Sequence, residues 1–545
     1  MPGVNQPMSR RTKQIAGGML LGVLALTAGC QDLDVVNLNN PDRERALTEP
    51  GDMETLIASS WTQFWTTTNT SAQRVWPGAV YGMEFTTTIA NNGILQFVQE
   101  PRRQFDNTPG SDMTETARFH WQGLYSDLSS AIEGLITLDQ GMTIPDPDDS
   151  SVDNTDRARA FAMFNKALMH QYVGLLFDQG WVITEEDTDL QEYLRSERGE
   201  FRPYPEVLEA SYGFWMELLD FLDQNPGVVF PSSWMNGNEM NAARIREVVH
   251  SFIVQGLVYG ARTPEERRDV DWNLVLQHLD QGITEDFGFE TESGGLTFSE
   301  YRWRTGTTWF QTSYYLIGPG DTSGQFQAWL AQSPNDRERF QFVSPDRRLV
   351  HENEEGEVVS GELFFLRPNS VLLPERGPYL DSYYAWNRNQ EGPWGFKTVM
   401  TLRENNLIRA EAYIRLGQPE PALDYINEYR TSTGQFGGGL PPVTVQGAPH
   451  SSDGADDCVP RMRDGSCADL VNALNYERRL MSLGNNAQRS WLDGRGMGTL
   501  LEGTPLHLPV PGRELEQLGM AVYTFGGVGG TDAATGPGVD VIWMN

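Results

Sequence analysis

Residues 398–430 of the chain read TVMTLRENNLIRAEAYIRLGQPEPALDYINEYR. Apolar and small side chains recur here at spacings that are mostly three and four, which is typical of amphipathic helices. They are Ile408, Ala412 and Leu416, followed by Ala422, Leu423, Ile426 and Tyr429. Gly417 is expected to end a first helix and Pro421 to open a second, because glycine is favoured just past a helix and proline in its first turn. The stretch therefore predicts a helical hairpin.

Small side chains indicate that the two helices of this hairpin approach closely. The alanines concerned are Ala410, Ala412 and Ala422, and the order A-Y-x-x-L-G followed by A-L resembles a tetratricopeptide unit. Residues 241–283 carry a second pair of helical patterns. Because such pairs cannot bury their apolar faces singly, they are expected to stack. We predict a mainly α-helical fold, a curved scaffold of tetratricopeptide-like pairs at about 241–283 and 398–430.

Two long stretches without a repeating apolar face interrupt the helical pattern, at about 69–110 and 285–395. Both are rich in Trp, Tyr and Phe, and short strands are expected in the second, as in GELFFLRP at 361–368. Long loops are where binding residues collect, although buried aromatic rings more often fix a loop to the body. We predict that these two regions form a binding face.

The N-terminus has the pattern of an exported lipoprotein. Arg10, Arg11 and Lys13 precede an apolar run from Ile15 to Ala28, and residues 26–30 read LTAGC. This predicts a signal peptide over 1–29, a lipidated Cys30 beginning a tether over 30–51, and a single folded body over 52–545. The arginine pair also admits twin-arginine export.

The charge of the chain excludes several kinds of partner. The formal net charge is −33, and removal of the three basic residues of the signal leaves 38 basic against 74 acidic residues, or −36. Binding to nucleic acid or to anionic lipid headgroups needs a broad positive face. We therefore predict no nucleic-acid partner, and membrane attachment through the N-terminal lipid alone.

No residue pattern predicts a cofactor, a metal or catalysis. Cys458 and Cys467 suggest a local disulfide in an exported chain, with free thiols as the alternative, and too few cysteines and histidines lie nearby for a zinc site. The acidic connection at 145–156 could ligate calcium, although helix capping is the simpler interpretation. The histidines are scattered and no Gly-x-Ser-x-Gly elbow occurs. We predict a protein that is not an enzyme, with a glycoside hydrolase as a lesser alternative.

A collinear set of segments resembles the SusD/RagB-type nutrient-binding lipoproteins. Besides the Cys30 lipobox, the segments are WQGLYSDLSSAIEGL from Trp121, ARAFAMFNKALMHQYVGLLFDQG from Ala158, NLIRAEAYIRLGQPEPALDYIN from Asn406, YERRLMSLGNNAQRSWLDGRG from Tyr476 and HLPVPGREL from His507. The resemblance implies a lid and capture subunit of a SusC-like, TonB-dependent β-barrel transporter, anchored to the bacterial outer membrane and facing the exterior. Its expected cargo is an oligosaccharide or another nutrient. A tetratricopeptide-type adaptor for envelope assembly is the alternative.

A sugar site needs aromatic planes for the C–H faces of the rings and polar partners for the hydroxyls. The two loop regions offer such residues, and the location of ligand residues in similar proteins selects six candidates: Trp76, Tyr81, Trp303, Trp309, Tyr384 and Trp386. Two arginine-rich elements, at 477–479 and 489–495, are expected to hold packed helices together through paired charges.

Overall fold

The computed structural model describes residues 48–70, 76–90, 93–187, 193, 199–292, 310–352, 358–366, 376–386, 394–450, 457–483, 488–536 and 538–544. The signal peptide, Cys30 and most of the tether lie outside these ranges. The predicted lipidation and the domain boundaries at 29 and 51 therefore stay predictions.

The described chain is dominated by helices that pack side by side. In chain order they are α1 (Pro50–Trp65), α2 (Trp76–Tyr81), α3 (Ile94–Val98), α4 (Asp112–Asp139), α5 (Thr155–Leu176), α6 (Tyr204–Gln224), α7 (Ala242–Tyr259), α8 (Pro264–Arg268), α9 (Trp272–Leu279), α10 (Tyr314–Ile317), α11 (Gln325–Ala331), α12 (Leu402–Arg415), α13 (Pro419–Arg430), α14 (Leu470–Ser482), α15 (Arg489–Met497) and α16 (Gly512–Gln517). None of these helices is both long and apolar enough to span a bilayer, within the residues described.

Short strands join in antiparallel pairs between the helices. They are β1 (Phe85–Thr86), β2 (Gln179–Gly180), β3 (Arg202–Pro203), β4 (Val229–Phe230), β5 (Met240–Asn241), β6 (Phe287–Thr291), β7 (Gln311–Thr312), β8 (Val350–Glu352), β9 (Val358–Ser360), β10 (Phe364–Leu366), β11 (Tyr384–Trp386) and β12 (Gly395–Met400). The pairs are β1 with β7, β2 with β3, β4 with β5, β6 with β12, β8 with β9, and β10 with β11.

Aromatic side chains join the first helices to the β6 strand in one core. Trp61 of α1 is fully buried, and its ring lies 6.1 Å from that of Phe164 on α5 and 5.6 Å from that of Phe289 on β6. Burying rings of this size is a large part of the stability of such a core. Because β6 also pairs with β12, the core fixes the position of the strand that leads into the α12–α13 hairpin.

The hairpin forms as the sequence predicts, except where its second helix begins. Gly417 follows α12 with φ of +73°, a left-handed conformation that glycine adopts without steric cost. Pro419 occupies the first turn of α13, so the prediction that Pro421 opens this helix is wrong by two residues. Both prolines fit the first turn, where the amide hydrogen that proline lacks has no helical partner.

The hairpin is held between the earlier pair and the C-terminal helices. Ile408 and Ala412 of α12 belong to the main core, and the side-chain amide of Asn405 donates to Ser251 Oγ of α7 at 2.9 Å. Ala410 and Ala422 pack in a second apolar cluster with residues of α14. The small residues thus lie where helices approach, which is the packing that the alanine pattern indicates.

Ala412→Asp tests this central position of the hairpin. Ala412 has no solvent-exposed surface, so a carboxyl group there is buried without a prepared partner. We expect the free energy of unfolding to fall by about 3 kcal/mol, measured by urea denaturation. Ala521→Asp, at an exposed position, is the control and should change little. Equal midpoints for both variants would remove the hairpin from the core of the fold.

The two loop regions are more ordered than the lack of periodicity predicts. Residues 69–110 contain the short helices α2 and α3, and residues 285–395 contain α10 and α11 as well as seven short strands or parts of strands. The strand expected within GELFFLRP is present as β10. Segments of four to seven residues are too short to show a helical period in sequence, so the prediction of irregular structure there was too broad.

Cys458 and Cys467 are joined in a disulfide bond with an S–S distance of 2.07 Å, as predicted for an exported chain. Nε2 of His450 lies 3.7 Å from Cys467 Sγ.

In the acidic connection, Asp146 Oδ1 accepts hydrogen bonds from the amides of Asp148 and Asp149. These two contacts shape a turn within the connection, whereas Asp153 Oδ1 accepts from the amide of Thr155 at the start of α5 and fits the capping interpretation.

Candidate functional site

Two buried clusters of arginine and carboxylate side chains hold the C-terminal helices against the rest of the body. In the first, Glu477 of α14 accepts hydrogen bonds from Arg348 Nη1 at 2.6 Å and Nη2 at 3.0 Å. Arg403 Nη2 donates to the same carboxylate at 3.2 Å, and Arg430 Nη1 lies 3.6 Å from it. Burial alone would raise the pKa of Glu477, but Arg348, Arg430 and Arg403 outweigh it and hold that pKa below 4.5.

The second cluster is built around Glu411 of α12. Arg267 Nε and Nη2 donate to its two oxygens at 2.9 and 2.7 Å, which is a bidentate pair, and Arg478 Nη1 also donates to it. Asp493 of α15 accepts from both arginines. Burial opposes ionisation of Glu411, yet the charges of Arg267 and Arg478 lower its pKa to about 2. The two arginine-rich elements at 477–479 and 489–495 thus have a packing role.

Above the first cluster lies a cleft of about 250 Å³ that combines aromatic and polar side chains. We call it the aromatic cleft, and its lining includes Trp386, Thr398, Arg403, Tyr429, Phe436 and Leu483. The lining residues come from β11, β12, α12, α13 and α14, and from the segments just before β6 and β10 and just after α13 and α14. The ion cluster beneath it fixes three of these elements relative to one another.

Arg403 is the cation of the aromatic cleft, and its hydrogen-bonding capacity is only partly used. Its guanidinium carbon lies 3.8 Å from the centroid of the Tyr429 ring. Nη2 donates to Glu477, whereas Nε and Nη1 have no hydrogen-bond partner among the described residues. Burial lowers the pKa of Arg403 to about 9 against the opposing charge of Glu477. A ligand oxygen that reached Nη1 would satisfy a donor that the protein leaves unpaired.

The paired strands β6 and β12 lead from solvent to this cleft, and we call them the β6–β12 ribbon. Phe396 pairs with Glu290 and Thr398 with Gly288. Side chains two residues apart on a strand point to the same face, so Phe396 precedes the cleft residue Thr398 on that face, about 7 Å away. Phe396 is 46 % exposed and Trp394, just before the strand, is 45 % exposed. Exposed aromatic rings beside a cleft typically mark a binding surface.

The structure places the six sequence candidates differently from one another. Trp386 lines the aromatic cleft. Tyr81 packs against Phe97 and Trp491 and is 2 % exposed. Tyr384 is fully buried, and its hydroxyl accepts the amide hydrogen of Phe342. A ligand would have to displace these neighbours to reach either tyrosine ring.

The side chains of the other three candidates are not described by the structure. Trp76 begins α2, but its side chain is not among those described, and Trp303 and Trp309 lie outside the described residues. Direct ligand contact by any of the six therefore stays a prediction.

The six candidates do not include three residues of this site, Phe396, Trp394 and Arg403, although Trp394 lies within the predicted binding region at 285–395. Trp394 and Phe396 stand on either side of Gly395, which has φ of +95°, and a W-G-F order before an alternating strand pattern is a signal that could have drawn attention to them. Arg403 carries no such signal, because its position beside Tyr429 and Glu477 depends on how three helices pack.

Comparison with known proteins provides independent evidence on the fold. No family model matches the sequence, and no curated protein sequence matches it. A SusD homologue from Bacteroides fragilis NCTC 9343 superposes with a TM-score of 0.51 at 14 % identity, covering 85 % of this chain and 94 % of that one. A SusD homologue from Bacteroides thetaiotaomicron VPI-5482 has a TM-score of 0.50 at 12 % identity, covering 86 % and 92 %.

At these identities the likeness concerns the fold, and it extends over nearly the whole length of both proteins. It agrees with the stacked helical pairs, the few short strands and the order of segments along the chain. The chain therefore has the SusD-like fold that its resemblance to the SusD/RagB-type proteins predicts.

Proposed function

We propose that the protein binds an oligosaccharide, or a nutrient of similar chemistry, in the aromatic cleft and along the β6–β12 ribbon. One observation carries the proposal: Arg403, whose Nε and Nη1 have no hydrogen-bond partner among the described residues, lines a cleft with Trp386 and Tyr429, beside a ribbon with two exposed rings. Flat apolar rings fit the C–H faces of a sugar, and polar groups beside them fit its hydroxyls. The SusD-like fold supports the same interpretation.

The lining of the cleft favours binding without turnover. Glycoside hydrolysis needs two carboxyl groups on either side of the scissile bond. Among the described lining residues, Asp286 is the one carboxylate, and its Oδ1 accepts the amide hydrogen of Leu402 at 2.8 Å. A single carboxylate that caps a helix lacks the partner that acid and base chemistry requires.

Removal of both exposed rings tests the site. We expect the double variant Trp394→Ala and Phe396→Ala to bind its glycan about tenfold to a hundredfold more weakly, because each stacked ring contributes roughly 1 kcal/mol beyond the area it buries. The protein should still fold, since both rings are exposed. Affinity gels containing starch, xylan, pectin, mannan or β-glucan would first identify the glycan, and calorimetry would then compare affinities.

Val343→Ala is the matched control, because Val343 is 51 % exposed and lies outside the cleft lining. It should bind as the unaltered protein does. Unchanged affinity in the double variant would exclude the ribbon as a glycan surface. Release of shorter sugars from any of these polymers would show that the protein is an enzyme instead.

The cellular setting forms part of the same proposal. Lipidation of Cys30 would anchor the body to the outer membrane, where a SusC-like TonB-dependent transporter would receive the cargo. The lipobox and the collinear family resemblance support this setting. Affinity purification from solubilised outer membranes should recover a large β-barrel protein, whereas recovery of envelope assembly factors alone would favour the adaptor alternative.

A further inference from the structure

A second, larger cavity lies far along the sequence from the aromatic cleft. It opens between α6 and α7, is bounded on one side by the segment around α8 and α9, and has a volume of about 560 Å³. Its lining and that of the aromatic cleft have no residue in common. A volume of this size is typical of small-molecule sites.

Two glycines of the lining, Gly256 on α7 and Gly260 directly after it, allow close packing at one side of the cavity. A Cβ at Gly256 would lie 3.2 Å from Oε1 of Gln171, and a Cβ at Gly260 would lie 2.8 Å from Cδ1 of Leu208 on α6. Both additions are closer than ordinary packing allows. Gly256 and Gly260 therefore let Gln171 and Leu208 approach the backbone closely, and they add only backbone atoms to the cavity wall.

The polar atoms at the floor of the cavity are already satisfied. Gln171 Nε2 donates to the Phe252 carbonyl at 2.9 Å, and Gln171 Oε1 accepts from Trp215 Nε1 at 2.7 Å. Gln171 is 1 % exposed and Trp215 is fully buried. Because Gln171 and Trp215 already form hydrogen bonds within the protein, a ligand at the floor would not gain these bonds. The floor therefore favours an apolar group.

The walls are apolar and remain partly open to water. They include Leu208, Tyr212, Leu257, Val270 and Leu274, each of which is half-buried. Covering such side chains with an apolar ligand removes their surface from water, which is favourable. A concave set of half-exposed apolar side chains therefore gains from an apolar occupant.

The charged side chains of the lining are carboxylates. Glu209, Glu266 and Asp269 line the cavity, and among the described lining residues there is no lysine, arginine or histidine. Glu266 Oε1 accepts from the Tyr204 hydroxyl, and Asp269 pairs with Arg268 nearby. Together with the formal charge of −33, these carboxylates favour a cationic group near the opening and oppose an anionic one.

We propose that this cavity is a second binding site, for a small molecule with an apolar body and a cationic end. The apolar body fits against the half-buried walls, and the cationic end lies beside Glu209 at the opening. Binding is non-covalent and independent of the glycan proposal, because the two sites share no lining residue.

Calorimetry with octyltrimethylammonium, octyl sulfate and octyl glucoside tests both parts of the proposal. The three probes share an apolar chain and differ in the charge of their polar end. We expect octyltrimethylammonium to bind with a negative heat-capacity change, which marks burial of apolar surface, and octyl sulfate to bind at least tenfold more weakly. Equal binding of the cationic and anionic probes would overturn the assigned ligand class.

Two variants locate the probe. Val270→Trp fills the cavity from the segment between α8 and α9, and Leu257→Trp fills it from α7. Each substitution is expected to reduce binding of octyltrimethylammonium at least tenfold. Met520→Trp, at a residue that is 45 % exposed and outside the lining, is the control. Thermal unfolding verifies that each variant is folded. Unreduced binding in a folded filling variant would show that the probe binds elsewhere.

Glu209→Gln tests the charge at the opening, with Glu206→Gln as its control. Both residues are exposed on α6, and only Glu209 lines the cavity. Loss of one exposed charge should weaken binding of octyltrimethylammonium about threefold and leave octyl glucoside unchanged. An equal effect of the two substitutions on the cationic probe would overturn the role assigned to Glu209.

Discussion

Glu477→Gln is expected to lower the free energy of unfolding by about 3–5 kcal/mol, enough to unfold a protein of ordinary stability. Arg348, Arg403 and Arg430 surround this carboxylate, and Arg348 and Glu477 have no exposed side-chain surface. Without its charge, the three buried guanidinium groups have only Asp346 to balance them within this cluster. The amide also presents an NH2 group to donors that need an acceptor.

Urea denaturation followed by tryptophan fluorescence measures the change. Glu516→Gln, on the exposed side of α16, makes the same chemical substitution without a buried partner and should shift the midpoint very little. Because Arg403 is held by Glu477, any folded fraction of Glu477→Gln should also bind glycan less well. A midpoint equal to that of the control would mean that the cluster contributes nothing to stability.

Asp127→Asn is expected to change stability in the opposite direction, raising the free energy of unfolding at neutral pH by about 4 kcal/mol. Asp127 lies on α4, is 2 % exposed, and its Oδ2 has no hydrogen-bond partner within the described residues. Burial raises the pKa of this carboxyl from 3.8 to about 9. The folded protein therefore holds a proton there that the unfolded chain releases above pH 4.

The sign of the pH dependence follows from that difference in proton binding. The contribution of a protonated Asp127 is fully present below pH 3.8 and is lost as the pH rises towards 9, by about 1.4 kcal/mol for each pH unit. An amide in place of this carboxyl does not ionise, so the Asp127→Asn variant should lack this slope. Denaturation midpoints of both proteins between pH 5 and 8 measure it, with Asp220→Asn, at an exposed position of α6, as the control. If the denaturation midpoints of the unaltered protein and of Asp127→Asn changed in parallel with pH, the conclusion that Asp127 is uncharged in the folded protein would be wrong.

Local patterns explain why the helical scaffold was predictable. The spacing of Ile408 and Ala412 and the glycine at 417 are properties of adjacent residues, and they specify a helix and its end before any packing is known. The start of α13 was misplaced because Pro419 and Pro421 both suit a first turn, and local preference does not choose between them. The disulfide was also predictable, because its two cysteines are close in the sequence.

The candidate site depended on contacts between distant residues. Trp386 was among the predicted residues and does line the aromatic cleft. Tyr81 and Tyr384 are also aromatic residues of the loop regions, but both are buried in the protein. An aromatic side chain in a loop packs inward or faces solvent according to what the neighbouring elements cover. The location of an aromatic residue in a loop region therefore identifies a candidate binding region, but not which residues of that region contact the ligand.

The sequence by itself determined the class of fold, the helical hairpin and the family resemblance, because these depend on periodicity and on the order of segments. Only the tertiary structure decided which rings remain exposed, where Arg403 keeps unpaired donors, and which residues of α6 and α7 line a cavity. Glu477 and Arg348 are 129 residues apart and meet in one hydrogen-bonded pair. Such contacts arise when whole helices pack, and the free energy of packing depends on the sum of all the surfaces that come together.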